Sequence, residues 1–201
     1  MLVGLGLGPG NPELLTLRAV RLLKEADAVF VPGRIAFDLV APYREPVVLD
    51  FPMTEDEDRI RECMRENARK IAPVAAEGLA VFGILGDPNF FSTFSRLCEV
   101  LAETHPGIEC RTEPGISSIT AFAAAAGIAV NEGFTVSDGT FSDARILMKV
   151  RKPREMADRL RAEGYTDFVL VERMFFPEMK VYRNSHLPEK SDYMSVMYAR
   201  K

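Results

Sequence analysis

Three short turns carry most of the residues able to hold a ligand. They are Gly4-Leu5-Gly6-Leu7-Gly8-Pro9-Gly10, Gly86-Asp87-Pro88, and Glu113-Pro114-Gly115-Ile116-Ser117-Ser118. The second follows the apolar run 79–85, which reads as a buried parallel strand closed by Gly and an acid. In open α/β sheets ligands lie outside the carboxyl ends of such strands, where the next helix begins. Gly86 lets backbone approach a ligand, Asp87 offers an acceptor, and Pro88 suits a first helical position. The same residues also read as a plain strand-to-helix turn capped by Asp87. In the third turn Pro114-Gly115 marks a bend and Ser117 or Ser118 an N-cap, whose helix 119–126 is almost all Ala and reads as packed against a close neighbour. A helix start also presents N–H groups to an anion. The first turn suggests phosphate binding but fits neither standard pattern. A dinucleotide fingerprint needs glycine where Pro9 stands and an acid after the second strand, which ends instead in Pro32-Gly33-Arg34. A P-loop needs a Gly-Lys-Ser/Thr that is absent.

The elements that must position these turns follow from the apolar pattern. Strand patterns at 1–5, 28–31, 46–50, 79–85 and 107–111 alternate with helical stretches at 13–25, 37–43, 55–76 and 88–103. Strand-then-helix repetition predicts a mostly parallel sheet. Pro73 is expected to kink or end the third of these helices. Beyond residue 113 the rhythm changes: strand patterns at 132–136, 145–150, 167–172, 180–182 and 193–198 surround one helix at 153–162. Short links between consecutive strands favour antiparallel pairing. The expected division is a 1–112 α/β domain and a 113–201 α+β domain.

Composition narrows the classes. The 201 residues suffice for a real core, and a net charge of −4 argues against nucleic-acid binding through bulk basicity. No apolar run nears a membrane span, and the first residues read as a strand rather than a leader. Cys63, Cys98 and Cys110 are odd in number and widely spaced, giving neither a metal motif nor a disulfide framework, so a reducing cytoplasmic setting is expected. His105 and His186 stand alone and read as surface residues.

The segment Gly6-Leu7-Gly8-Pro9-Gly10-Asn11-Pro12-Glu13-Leu14-Leu15-Thr16-Leu17, the Leu85-Gly86-Asp87-Pro88 turn, and Pro114-Gly115-Ile116-Ser117-Ser118 together resemble the three signatures of the tetrapyrrole methylases, in order and separation, across essentially the whole chain. Within that family, Gly86 to Ser95 and the ending Ser191-Asp192-Tyr193-Met194-Ser195-Val196-Met197 resemble the precorrin-2 and cobalt-factor II C-20 methyltransferases of corrin biosynthesis. The Gly-Arg-Gly usual after this turn in uroporphyrinogen methyltransferases is absent, and Ser92-Thr93-Phe94 replaces the Thr-Thr-His-like run of diphthine synthase.

The resemblance implies a cytoplasmic S-adenosylmethionine enzyme without a protein-bound metal. It would have a mostly parallel N-terminal sheet and a mixed C-terminal one, a ligand cleft between its domains, and a homodimeric state. Carried over by position, Pro9, Leu85, Gly86, Asp87, Phe90, Ser92, Thr93, Ser117, Ser118 and Met148 would contact the cofactor, and the segment at Arg173-Met174 would add to them. Methyl transfer is an in-line attack whose main demand is alignment. After a ring carbon is methylated it must lose a proton, for which Asp87, Asp138 and Glu172 are candidates alongside cofactor-binding or structural roles. No catalytic base is assigned. A carboxylate-rich substrate calls for Arg or Lys. Arg34, Lys149, Arg151 and Lys152 follow strands where they would meet one, or are ordinary surface charge. A non-catalytic sensor of NAD or ATP and a peptide- or RNA-directed methyltransferase stay open as alternatives.

Overall fold

The computed structural model describes residues 1–52, 54–131, 133–136 and 143–201. They form two compact units, Met1–Phe134 and Thr135–Lys201.

In the first unit five strands, β1 (Leu2–Gly6), β2 (Ala28–Val31), β3 (Val47–Val48), β4 (Ala80–Ile84) and β5 (Cys110–Glu113), pair in the order β3-β2-β4-β1-β5. Every pair is parallel, as the strand–helix alternation predicts. β1 and β4 lie centrally and are buried along their whole length. That is why they read as unbroken apolar runs instead of alternating ones. Successive residues of β1 still serve opposite faces. Val3 and Leu5 join Ala19 and Leu23 of α1 (Leu17–Glu25) and Ala36 and Leu39 of α2 (Arg34–Val40). Leu2 joins Met64, Ile71 and Leu97 from α3 (Glu57–Glu77) and α4 (Phe94–Thr104). On that second face Phe82 lies between the rings of Phe51 and Phe94, at centroid distances of 5.5 and 6.2 Å.

Local signals set most helix starts. Thr16 Oγ1 accepts the Ala19 N–H at 3.0 Å, and Asp56 Oδ1 accepts from both Asp58 and Arg59. Pro73 does not end α3, which runs on to Glu77. Pro73 lies on the exposed side of the helix, while Ile71, Ala72 and Ala75 stay buried and hold the last turn. Pro88 is likewise not a first helical residue, because the chain makes a further turn through Phe91 (φ 50°) and α4 begins only at Phe94.

The second unit holds β6 (Ala144–Met148), α6 (Pro153–Ala162), β7 (Asp167–Glu172), β8 (Lys180–Arg183) and β9 (Ser195–Arg200), in the sheet order β6-β9-β7-β8. Among the described residues each pair is antiparallel, which narrows the mixed sheet expected there. Phe168 and Leu170 of β7 and Met197 and Ala199 of β9 alternate inward and meet Ala157 and Leu160 of α6. The strand expected at 132–136 does not form over 133–136, and Glu132 lies outside the described residues. No helix among the described residues is long and apolar enough to cross a membrane.

The helix α5 (Ser118–Ala126) starts at the expected cap, with Ser117 Oγ accepting the Ile119 N–H at 3.3 Å, and ends at left-handed Gly127. Contrary to the expectation of a packed helix, none of its residues is buried and Phe122 is 64% exposed. The two compact units divide after residue 134, whereas the sequence pattern changes near residue 113; α5 falls between these positions.

Candidate functional site

The three turns meet. The loop leaving β1 and the turn leaving β4 hold each other through reciprocal backbone bonds, Gly86 N–H to Gly8 O at 2.7 Å and Gly8 N–H to Gly86 O at 3.3 Å. The third turn packs against both. A Cβ on Gly6 would lie 2.3 Å from Gly115 N, and one on Gly115 would lie 2.3 Å from Gly86 O. Only glycine lets three backbones approach this closely.

Asp87 locks the arrangement. Its carboxylate is buried, with Oδ2 accepting the Gly115 N–H at 3.1 Å. Oδ1 accepts the Asn89 N–H at 2.9 Å and the Asn89 side-chain amide at 3.2 Å. The acid therefore closes its own turn and ties down a turn 28 residues further on. Across the end of the sheet, Arg18 of α1 pairs with Glu113 at 2.5 Å, fixing the strand that leads into Pro114.

Around this knot stand most of the residues singled out from sequence. Pro9 is exposed at the tip of the first loop. Leu85 and Phe90, 39% and 44% exposed, put apolar surface beside Gly86. At Gly86 (φ 73°) a Cβ would meet nothing nearer than Ser118 N at 4.0 Å, so the turn borders open space next to the start of α5. Ser117 and Ser118 are thus brought to Gly86 by the Gly115–Asp87 bond. Ser92 Oγ accepts the Phe94 N–H at 3.0 Å and begins α4, while the Thr93 side chain caps nothing. A cavity of about 1160 Å³ adjoins this turn, lined by Phe51, Asn89, Phe91, Ser92, Thr93 and Arg96 among others.

Arg34 points elsewhere. It pairs with Asp38 one helical turn on, at 2.9 Å, and lies over the Phe37 ring. Met148, Lys149 and Arg151 belong to the second unit. Met148 ends β6 and is 72% exposed. Lys149 (φ 57°) and Arg151 converge on the Tyr193 ring, at 5.3 and 5.2 Å from its centroid. Lys152 instead pairs with Glu155 at 2.8 Å. Arg173, at the segment expected to add to the site, faces Glu178 and Asp192, each at 3.7 Å.

Of the carboxylates considered for proton transfer, Asp87 is engaged as described. Glu172 is buried and accepts from the Asp192 N–H and the Tyr182 hydroxyl at 3.1 and 3.4 Å. Asp138 lies outside the described residues. Among the described residues no group of three or more His, Cys, Asp and Glu gathers as metal ligands would. Sequence reasoning missed Gly6, Gly115 and Asn89 as the scaffold of the knot. A glycine inside a strand, as at Gly6, was the available signal of close backbone approach.

The chain as a whole has counterparts among known proteins. Residues 1–186 match the family model of the tetrapyrrole (corrin/porphyrin) methylases. The chain is 29% identical to a probable cobalt-precorrin-2 C(20)-methyltransferase of Methanocaldococcus jannaschii, over 98% of this chain and 95% of that one. It is 30% identical to a precorrin-2 C(20)-methyltransferase of a Sinorhizobium species, over 95% of this chain and 89% of that one. Among solved structures, a putative cobalamin synthesis related protein (CobF) of Corynebacterium diphtheriae matches with a TM-score of 0.55 at 17% identity, covering 100% of this chain and 98% of that one. With the family model spanning all three turns of the knot and most of both units, the chain belongs to the tetrapyrrole (corrin/porphyrin) methylases.

Proposed function

We propose that the protein is an S-adenosylmethionine-dependent methyltransferase acting at C-20 of precorrin-2 or cobalt-factor II in corrin biosynthesis. The observation that carries this is the near full-length relatedness to two proteins named for that reaction. The knot supports the cofactor part. Open space beside Gly86, the apolar surfaces of Leu85 and Phe90, and the adjoining helix start at Ser117 and Ser118 suit a ligand with an apolar body and a carboxylate. S-adenosylmethionine supplies both the methyl electrophile and its leaving group, so the protein's work is to bind, orient and exclude water.

In this reading Pro9, Leu85, Gly86, Phe90, Ser92, Thr93, Ser117, Ser118 and Met148 contact the cofactor. Asp87 acts chiefly as the latch that holds Gly115, and through it the start of α5, at the turn. Lys149 and Arg151, braced on Tyr193, receive carboxylates of the tetrapyrrole. Arg34 stays in this set as a cation freed by letting go of Asp38. Asp87 and Glu172 already accept protein hydrogen bonds, so neither is assigned as a base. A functional boundary at residue 113 and a homodimer belong to the same proposal. Exposed Phe122, Ile128, Val130 and Phe134 on and after α5 support an assembled state.

The test is incubation with methyl-labelled S-adenosylmethionine and, separately, precorrin-2, cobalt-factor II, uroporphyrinogen III or cell extract. Label and one added methyl on precorrin-2 or cobalt-factor II alone is the expected result, and the ratio of the two rates identifies the preferred substrate. Label confined to protein or RNA, or thermal stabilisation by NAD or ATP without any transfer, overturns the proposal.

A further inference from the structure

We propose that Cys98 and Cys110 form a dithiol modification site, at which a hydroperoxide produces an intramolecular disulfide. The pair is assembled by the fold. Cys98 lies on α4 and Cys110 opens β5; between them the chain turns back, with the His105 N–H bonded to Leu101 O and the Ile108 N–H to His105 O. Both cysteines pack against the same apolar cluster, and both line the 1160 Å³ cavity. All three cysteines are free thiols, but they differ in access. Cys98 and Cys110 are partly exposed. Cys63 is buried, donates to Asp50 O at 2.9 Å, and has its thiol pushed up, first by burial.

The two thiols shift each other's acidity in opposite directions. Hydrogen bonding from Cys98 brings Cys110 down to about 7, and the same contact together with burial pushes Cys98 up. A thiolate is the nucleophile in such chemistry, and the attack is assigned to Cys110, whose thiol its partner lowers, with Cys98 as the resolving sulfur. The Cys110 thiolate attacks one oxygen of hydrogen peroxide, the O–O bond breaks, and hydroxide leaves to be protonated to water. Cys110 is then a sulfenic acid, oxidised by two electrons while the peroxide is reduced by two. The Cys98 sulfur attacks the sulfenyl sulfur and gives up its proton. The S–S bond forms, the S–O bond breaks, and a second water leaves. Two thiols and one peroxide thus become one disulfide and two waters. None of this depends on the enzymatic reading above.

Trypsin makes the site easy to follow, because the single peptide Leu97–Arg111 contains both cysteines and Glu62–Arg65 contains Cys63. The full-length protein is treated with hydrogen peroxide, quenched with catalase, unfolded, alkylated with iodoacetamide and digested. The expected result is a Leu97–Arg111 peptide lighter by two hydrogens and free of alkylation, restored to the doubly alkylated form by dithiothreitol. Glu62–Arg65 stays fully alkylatable. Cys98→Ser should stop at a dimedone-reactive sulfenic acid on Cys110, while Cys63→Ser should form the bridge as the unmodified protein does. Double alkylation of Leu97–Arg111 after oxidation, a bridge that includes Cys63 or a second chain, or over-oxidation of Cys110 without a bridge each overturns the proposal. These outcomes are read on the unmodified sequence, so they stand even where a variant fails to fold.

Discussion

Asp87→Asn tests whether this acid is a latch or a ligand contact. The substitution keeps size and shape but leaves one oxygen where the carboxylate uses two. If that oxygen stays with Asn89, the new amide presents its own N–H groups to Gly115 N–H, so a 3.1 Å bond becomes two opposed donors. A hydrogen bond to a charged group contributes about 1.5–3 kcal/mol, and a part-buried N–H left without an acceptor costs about 1–3 kcal/mol. These overlap, so a net loss of about 2–4 kcal/mol is expected. Hydrogen exchange on the Gly115 amide reads the latch directly. Opening that becomes easier by about 2 kcal/mol speeds exchange roughly 30-fold in the ligand-free protein. Urea unfolding gives the global figure, and titration with S-adenosylhomocysteine gives the cofactor affinity. Unchanged Gly115 exchange, with unfolding within about 0.5 kcal/mol of the parent, would refute the latch, since surface substitutions fall in that range. Lost affinity without lost stability would return Asp87 to the role of a direct contact.

Gly6→Ala should lose about 3 kcal/mol or more, beyond ordinary overpacking because the obstacles are backbone atoms, whereas Gly107→Ala, with nothing within 4 Å, should unfold within about 0.5 kcal/mol of the parent; urea midpoints decide. Lys149→Ala and Arg151→Ala should each raise the tetrapyrrole KM about tenfold or more, as expected for losing an ionic hydrogen bond, and leave the S-adenosylhomocysteine Kd unchanged. An unchanged KM in both removes them from the substrate site. Iodoacetamide should modify Cys110 with a rate that rises through about pH 7 and then levels, since its depressed thiol is already ionised above that point, while Cys63 stays slow in the folded protein. A Cys110 rate still climbing past pH 9 would contradict the depressed value. Thr16→Ala should cost about 1 kcal/mol of stability by removing the α1 cap.

What the sequence disclosed depended on the range of the interaction that set each feature. The parallel sheet was legible because β1 and β4 are buried on both faces and therefore write themselves as continuous apolar runs. The cap at Ser117 was legible because a side chain satisfies an N–H only two or three residues away, whereas the helix read from residue 13 begins only at Leu17, with Thr16 as its cap. Pro73 misled for the complementary reason. The local rule counts the missing hydrogen bond, but buried Ile71, Ala72 and Ala75 decide whether the last turn survives. The same reasoning explains the two pairings that no local pattern announces. Asp87 looks like a turn residue from its neighbours, and its partner Gly115 appears only when β4 and β5 are laid on either side of β1. Cys98 and Cys110 are separated by a helix end and a turn, and a search for metal or disulfide spacings passes over them. They share one apolar cluster and one cavity because α4 and the start of β5 bury residues on the same face of the sheet. In both cases the sheet order creates the chemistry. A rearrangement that moved β5 from the edge beside β1 would separate Gly115 from Asp87 and Cys110 from Cys98 together. The latch and the dithiol are thus two consequences of one strand pairing, and hydrogen exchange along Cys110–Glu113 should report on both.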